Sequence, residues 1–255
     1  MEINPACVLY SGGADSTMAA AVMLKNHYPV HLLTFKHCRM SQLNKTTDSV
    51  ENLFGHFGKS SVIHHWKDIT SLWRTIKKKP PYTAMTLNGG FALLLKPCLA
   101  CKAAMHLSTL SYCLENGISI AADGAHPKGA PLFPEQTNEG IELIRSFYNR
   151  YGIAYETPVY SIERPDFNLF DMGITRKKNT GDEHIYYSNQ FACHVGLLAY
   201  VYHFLTRPLD KEKKRTFRLS VDFLKECLSE ESVAKMLNQN KTDVDKKGKN
   251  NEADH

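Results

Sequence analysis

A chain of 255 residues with 43% hydrophobic residues can bury the core of one α/β domain with a small addition, which excludes both a minimal stapled scaffold and a large multidomain assembly. Its formal charge of +5 falls well short of the basic density of a DNA-coating protein, yet suits a nucleotide or nucleic-acid partner. No run approaches the roughly 20 apolar residues that span a bilayer, and no signal-like segment opens the sequence, so a cytoplasmic protein without membrane contact is expected.

The first element is a buried strand ending at Val8-Leu9-Tyr10, then the turn Ser11-Gly12-Gly13-Ala14-Asp15-Ser16, then an alanine-rich helix to about Asn26. Adjacent glycines admit backbone angles closed to other residues, so successive N–H groups can face one concavity at the positive end of a helix, where phosphate fits. The same residues also suit an ordinary strand–turn–helix in which Asp15 or Ser16 caps the helix. The stretch lacks the Gly-Lys-Ser/Thr ending of a Walker loop and the spacing of the G-x-G-x-x-G fingerprint.

Residues 29–35 read as a second strand, completing a βαβ unit whose carboxyl end should lie beside the turn. A helix over 46–57, a strand over 61–66 and a helix over 69–78 continue the alternation. His64 and His65 are adjacent on a strand and point to opposite faces, so they do not chelate one ion together. After Pro97 comes Cys98-Leu99-Ala100-Cys101-Lys102, then a helix from about Leu99 to Glu115 that closes at Asn116-Gly117. The next strand, 118–122, delivers Asp123-Gly124-Ala125-His126 over the crevice at the strand ends. An amphipathic helix over 137–151, an extended segment over 154–161 and an apolar helix over 195–205 follow. Three basic stretches, Arg74 to Lys79, Arg176 to Lys178 and Lys211 to Arg218, read either as solvated faces or as phosphate contacts. The segment from about Asn238, rich in Asn, Lys and Asp and lacking aromatics, should be disordered.

Seven cysteines, an odd number, in a chain expected to be cytoplasmic argue for reduced thiols, metal ligands or catalysis rather than a disulfide framework. The C-x-x-C of Cys98 and Cys101 suits a shared metal, a cluster or a redox pair, and Cys193 lies far downstream. Structural zinc or plain buried thiols are the bland alternatives. Cys7, Cys38, Cys113 and Cys227 are expected to be core or surface residues.

Ser11-Gly12-Gly13-Ala14-Asp15-Ser16 resembles the SGGxDS loop of the PP-loop ATP pyrophosphatases, and the cysteine arrangement resembles their tRNA thiolation branch, with similarity in patches to about Tyr202. The resemblance implies a doubly wound, mainly parallel five-stranded sheet with helices on both faces. It implies a PP-loop catalytic domain over 1–206, a basic helical extension over 207–237 and a disordered tail over 238–255. It implies an ATP site of Tyr10, Ser11, Gly12, Gly13, Asp15, Ser16, Thr34, Phe35 and Gly124, with backbone near Leu33 to Phe35 contacting adenine and Asp15 assisting magnesium. At Asp123-Gly124-Ala125-His126 the sequence departs from the family's Thr-Gly-His turn.

By the same resemblance, Cys98, Cys101 and Cys193 hold a 4Fe-4S cluster with one open iron, or Cys101 and Cys193 work by persulfide and disulfide without a cluster; zinc or no metal remain alternatives. Lys102 and a nearby helix N-terminus would help keep the thiolates deprotonated. The implied function is adenylation of a substrate carbonyl followed by sulfur transfer, with Asp15, Cys101 and Cys193 catalytic and a tRNA base as substrate. Candidate partners are tRNA, a sulfur-donor protein or sulfide, and a second copy of the chain. The alternatives are the same adenylation on a small molecule, giving an amide, a nitrile or a sulfur-carrying cofactor, and a non-catalytic nucleotide-binding iron–sulfur sensor.

Overall fold

The computed structural model describes residues 4–38, 40–41, 45–77, 90–175, 192–193, 201 and 210–236. The strands are β1 (Ala6–Leu9), β2 (Val30–Lys36), β3 (Met40–Ser41), β4 (Val62–Asp68), β5 (Ile120–Ala122), β6 (Ala154–Glu156) and β7 (Ala192–Cys193). The helices are α1 (Ala14–Asn26), α2 (Lys45–Phe57), α3 (Thr70–Ile76), α4 (Gly90–Glu115), α5 (Asn138–Asn149), α6 (Pro165–Asp171) and α7 (Asp210–Cys227).

Five strands form one parallel sheet in the order β4-β2-β1-β5-β6, the doubly wound sheet implied by the family resemblance. β1 is central and buried throughout, because both faces are covered. On one face Val8, Leu32 and Ala122 pack with Met18, Ala20 and Met23 of α1 and Leu53 of α2. On the other, Leu9, Leu33 and Phe35 pack with Trp73 of α3 and with Leu99, Ala103 and Leu107 of α4. α7 lays Phe223, Leu224 and Cys227 into this second core, so the basic helix is packed against α4. The order reverses at β1, whose neighbours β2 and β5 run on to opposite edges, and the crevice for a ligand opens at their carboxyl ends.

Two boundaries differ from the sequence reading. α4 begins at Gly90 and runs through Pro97, whereas a start at about Leu99 was expected from proline as a breaker. Proline removes the amide that would bond the Leu93 carbonyl, but packing of Leu95, Leu99 and Ala100 in the core holds the helix across that gap. The extended segment expected over 154–161 forms a strand for three residues and then turns. The basic stretch over 176–178, Lys78 and Lys79, the helix expected over 195–205 apart from Val201, and the tail from Asn238 lie outside the described residues.

Candidate functional site

Chain leaving β1 carries Tyr10 into the core, where its hydroxyl lies 3.1 Å from Thr17 Oγ1 of α1. Gly12 then adopts φ +81°, the left-handed region that glycine enters without steric cost, while Gly13 is extended and becomes the N-cap of α1. Of the two adjacent glycines, the first is the one whose conformation needs the missing side chain.

Neither Asp15 nor Ser16 caps the helix; Gly13 is the N-cap and no side chain bonds the first amides. Ser16 Oγ instead turns into the loop, accepting from the Ser11 amide at 3.2 Å and lying 3.0 Å from Ser11 Oγ and 3.1 Å from the Gly13 carbonyl. Helix α2 secures the loop from outside: Thr46 Oγ1 donates to the Ser11 carbonyl at 3.2 Å and Ser49 Oγ to the Gly12 carbonyl at 2.9 Å. With the carbonyls tied back, the amides of Gly12, Ala14, Asp15 and Ser16 make no hydrogen bond among the described residues. An array of unpaired amides at a helix N-terminus is suited to phosphate oxygens.

Asp15 stands at the mouth of this loop. Partial burial raises its carboxyl above the ordinary value, His126 and Lys128 oppose the rise, and Asp166 at the start of α6 adds to it. Two carboxylates near an anion pocket form a natural place for a hard divalent cation between protein and phosphates. Asp166 also bonds Arg164 at 3.4 Å, and its place beside Asp15 was invisible in the sequence because α6 reaches α1 by tertiary packing.

The end of β5 closes on the loop. A Cβ on Gly124 would lie 2.7 Å from the Ser16 amide nitrogen and 2.8 Å from the Asp15 carbonyl carbon, both backbone atoms that cannot swing away. Gly124→Ala is therefore expected to displace the loop and weaken binding of inorganic pyrophosphate by about tenfold or more, the size of an overpacking penalty. Gly55→Ala, with nothing within 4 Å of the added atom, is the control, and equal affinities of the two variants would refute the expectation.

Asp123 accepts from the Ala125 amide at 2.8 Å and from Lys102 Nζ of α4 at 3.1 Å. Burial works to discharge Lys102, but Asp123 and Glu135 outweigh it and hold the ammonium above the ordinary lysine value. Burial likewise would raise the Asp123 carboxyl, but Lys102 and the Ala125 amide keep it below the ordinary carboxylate value. His106 is pushed down to about 3 by burial, with Lys102 adding, and is neutral. Asp123 is thus the main partner of Lys102, and the Cys101 thiol that the sequence suggested is a smaller influence on the same ammonium. The C-x-x-C also lies inside α4, eight residues beyond its first residue, so the helix N-terminus expected to assist the thiolates is absent there.

His126 donates from Nε2 to the Ile162 carbonyl at 2.7 Å and accepts at Nδ1 from the Lys128 amide at 3.2 Å. Both nitrogens are used to hold the turn. Thr34 and Phe35 are fully buried: Phe35 points into the α3/α4 core, and Thr34 Oγ1 lies 2.8 Å from His64 Nε2 on the opposite face. They therefore present backbone to the crevice. His64 and His65 lie on opposite faces of β4, as alternation requires.

Cys98 and Cys101 are half-buried, one turn apart on α4. That turn is anchored over the end of β2: Trp73 Nε1 donates to the Pro97 carbonyl at 3.1 Å, and the Trp73 ring stacks on His37 at 4.9 Å. Residue 193 is positioned by the backbone, since β7 pairs antiparallel with β3 and places Cys193 opposite Met40. Cys98 and Cys101 thus lie on a turn held by Trp73, and residue 193 pairs with a short strand four residues past β2. Among the described residues no group of three metal-ligating side chains is assembled, and the Cys193 side chain lies outside them. Cys7, Cys113 and Cys227 are buried in the core, and Cys38 is exposed just after β2.

No protein-family model matches the sequence, and no curated protein sequence does. Among solved structures, the chain is similar to a 4-thiouridine synthetase crystallised with RNA and bound ATP, at 15% identity and a TM-score of 0.50, covering 84% of this chain and 53% of that one. The chain thus spans about half the length of that protein. Weaker likenesses are to the U34-tRNA thiolase NcsA from Methanococcus maripaludis with its [4Fe-4S] cluster (13% identity, TM-score 0.42, 88% of this chain and 72% of that one) and to the NMN synthetase from Francisella tularensis (12%, 0.38, 89% and 87%). At these identities the likeness bears on the fold alone, a doubly wound α/β fold shared with the 4-thiouridine synthetase.

Proposed function

We propose that this chain is an ATP-using enzyme that adenylates a substrate carbonyl, releases pyrophosphate and then transfers sulfur, with a tRNA base as substrate. The observation that carries the first half is the loop after β1: amides of Gly12, Ala14, Asp15 and Ser16 without partners, beside a carboxylate, in a fold of matching type. In this reading the loop holds the pyrophosphate part of ATP, Asp15 holds magnesium against it, and the backbone of residues 33–35 meets the adenine. The substrate's carbonyl oxygen attacks the α-phosphorus and pyrophosphate departs. A sulfur nucleophile then attacks the activated carbon, and AMP leaves with the oxygen.

The second half rests on the cysteines and on their mechanical link to the loop. Ser16 packs on Gly124, Asp123 bonds Lys102, and Lys102 follows Cys101 in α4, so the sulfur site and the phosphate site are held in register by buried contacts. Cys98, Cys101 and Cys193 are the residues that would hold a 4Fe-4S cluster, which when bound would supply one iron open to sulfide. The persulfide route through Cys101 and Cys193 uses two of the same residues. The 4-thiouridine synthetase that shares the fold was solved with RNA and ATP, and the proposal brings that pair of ligands here.

Incubating the anaerobically reconstituted full chain with ATP, magnesium, sulfide and unmodified tRNA tests the reading. AMP and pyrophosphate are expected in equal amounts with a thiolated nucleoside in the RNA. Formation of ADP would exclude the assignment, and AMP formation with a small carbonyl substrate but not with tRNA would move it to the small-molecule branch.

A further inference from the structure

Away from the loop, α7 and the segment that leaves β5 enclose a groove of about 540 Å³ lined by Pro131, Glu139, Lys213, Lys214, Phe217 and Arg218. α7 turns Thr216, Ser220, Phe223, Leu224 and Cys227 inward, which leaves Lys214 and Arg218 exposed and Lys213 and Phe217 half-buried at the rim. Three cations meet one carboxylate there. Among the described residues Lys213, Lys214 and Arg218 make no ion pair, and Glu139 pairs with none of them. Lys214 and Arg218 are also i,i+4 neighbours, as are Lys211 and Arg215, and like charges at that spacing work against the helix that carries them. Asp210 and Asp222 stand four residues from Lys214 and Arg218 on the same helix and offset that repulsion, and packing of the inner face maintains the helix.

We infer that this groove seats a single-stranded stretch of RNA, with phosphates on Lys213, Lys214 and Arg218 and a base on the ring of Phe217. The inference rests on the proposed RNA substrate and assigns where the RNA docks. Cations that follow a backbone combined with an aromatic ring at the rim of the groove are the pattern of sequence-tolerant single-strand binding. The position fits as well: Pro131 belongs to the segment that begins at the Asp123–Gly124 turn, and Glu135 of the same segment lies against the Lys102–Asp123 pair, so a strand in the groove leads toward the crevice.

The test measures binding of unmodified tRNA and of a short single-stranded oligonucleotide to the full chain by fluorescence anisotropy between 50 and 200 mM salt. The Lys213→Glu, Arg218→Glu double variant should lose at least about tenfold in affinity for both and show a shallower salt dependence, by about 0.7 in log–log slope for each lost phosphate contact. Phe217→Leu should weaken the oligonucleotide by several-fold and leave the salt slope unchanged, whereas Lys225→Glu on the same helix should change neither. Helical circular dichroism and a thermal midpoint equal to wild type establish that the variants are folded. If wild type binds tRNA and the double variant binds it equally well, the groove is wrong and the proposed function stands. If wild type binds no RNA at 50 mM salt, the RNA reading itself fails and the inference fails with it. Loss of inorganic pyrophosphate binding with RNA affinity intact would make the groove a small-anion site and overturn the inference.

Discussion

Asp15→Ala is expected to reduce conversion of ATP to AMP and pyrophosphate by about a hundredfold or more, the scale of losing a group that organises a metal-bound phosphate. The same substitution should slightly raise the thermal midpoint at neutral pH. Partial burial lifts the Asp15 carboxyl above its ordinary value, so its charge at pH 7 is held against a preference for the neutral form. A carboxyl with a raised folded value binds its proton more tightly folded than unfolded, so the wild type gains stability on Asp15→Ala as pH falls through that raised value toward the ordinary carboxylate range. Thermal unfolding of both proteins at pH 7 and in mild acid, alongside product analysis, checks the two halves. A variant that retains AMP formation removes Asp15 from the machinery, and a lowered midpoint at pH 7 contradicts the burial account.

The second large effect concerns the cysteines. Replacing Cys98, Cys101 or Cys193 singly by serine should each strip most of the iron from anaerobically reconstituted protein and abolish sulfur transfer, because a cluster iron held by one thiolate loses its anchor. Cys7→Ala and Cys227→Ala should keep iron while costing on the order of 1 kcal/mol of stability, since both residues are fully buried. Iron content, the visible sulfur-to-iron charge-transfer band and thiol reactivity give readouts independent of turnover. If the reconstituted wild type binds no iron and its thiols react freely, the cluster is excluded. Serine variants at 101 and 193 that lose activity while Cys98→Ser keeps it would then select the persulfide route.

The likeness of Ser11 to Ser16 to a known loop pointed to the turn whose amides are unpaired, yet misread how that turn is built. Sequence proximity made Asp15 and Ser16 the natural caps, whereas Thr46 and Ser49, more than thirty residues away, hold the loop carbonyls and leave the amides of α1 available. Lys102 was similarly judged by its neighbours in the chain. In the fold, its partner is Asp123, because a buried ammonium binds a buried carboxylate more strongly than it influences half-buried thiols. Pro97 was read as a boundary on local grounds, and core packing overrode it.

What the sequence determined by itself is local in origin: apolar runs of strand length, helices of matching period, and a turn rich enough in glycine to approach a phosphate. These are properties of residues within a few positions of one another, and they were enough for an alternation of parallel strands and helices, while the doubly wound sheet came from the resemblance and the central place of β1 from the structure. The tertiary structure alone decided which distant groups meet. It set Gly124 against the Ser16 backbone, Asp166 beside Asp15, residue 193 opposite Met40, and α7 against the segment from β5. Such meetings depend on the order of strands in the sheet and on which helix covers which face, and close packing turns that order into contacts of a few ångströms that no spacing along the chain encodes.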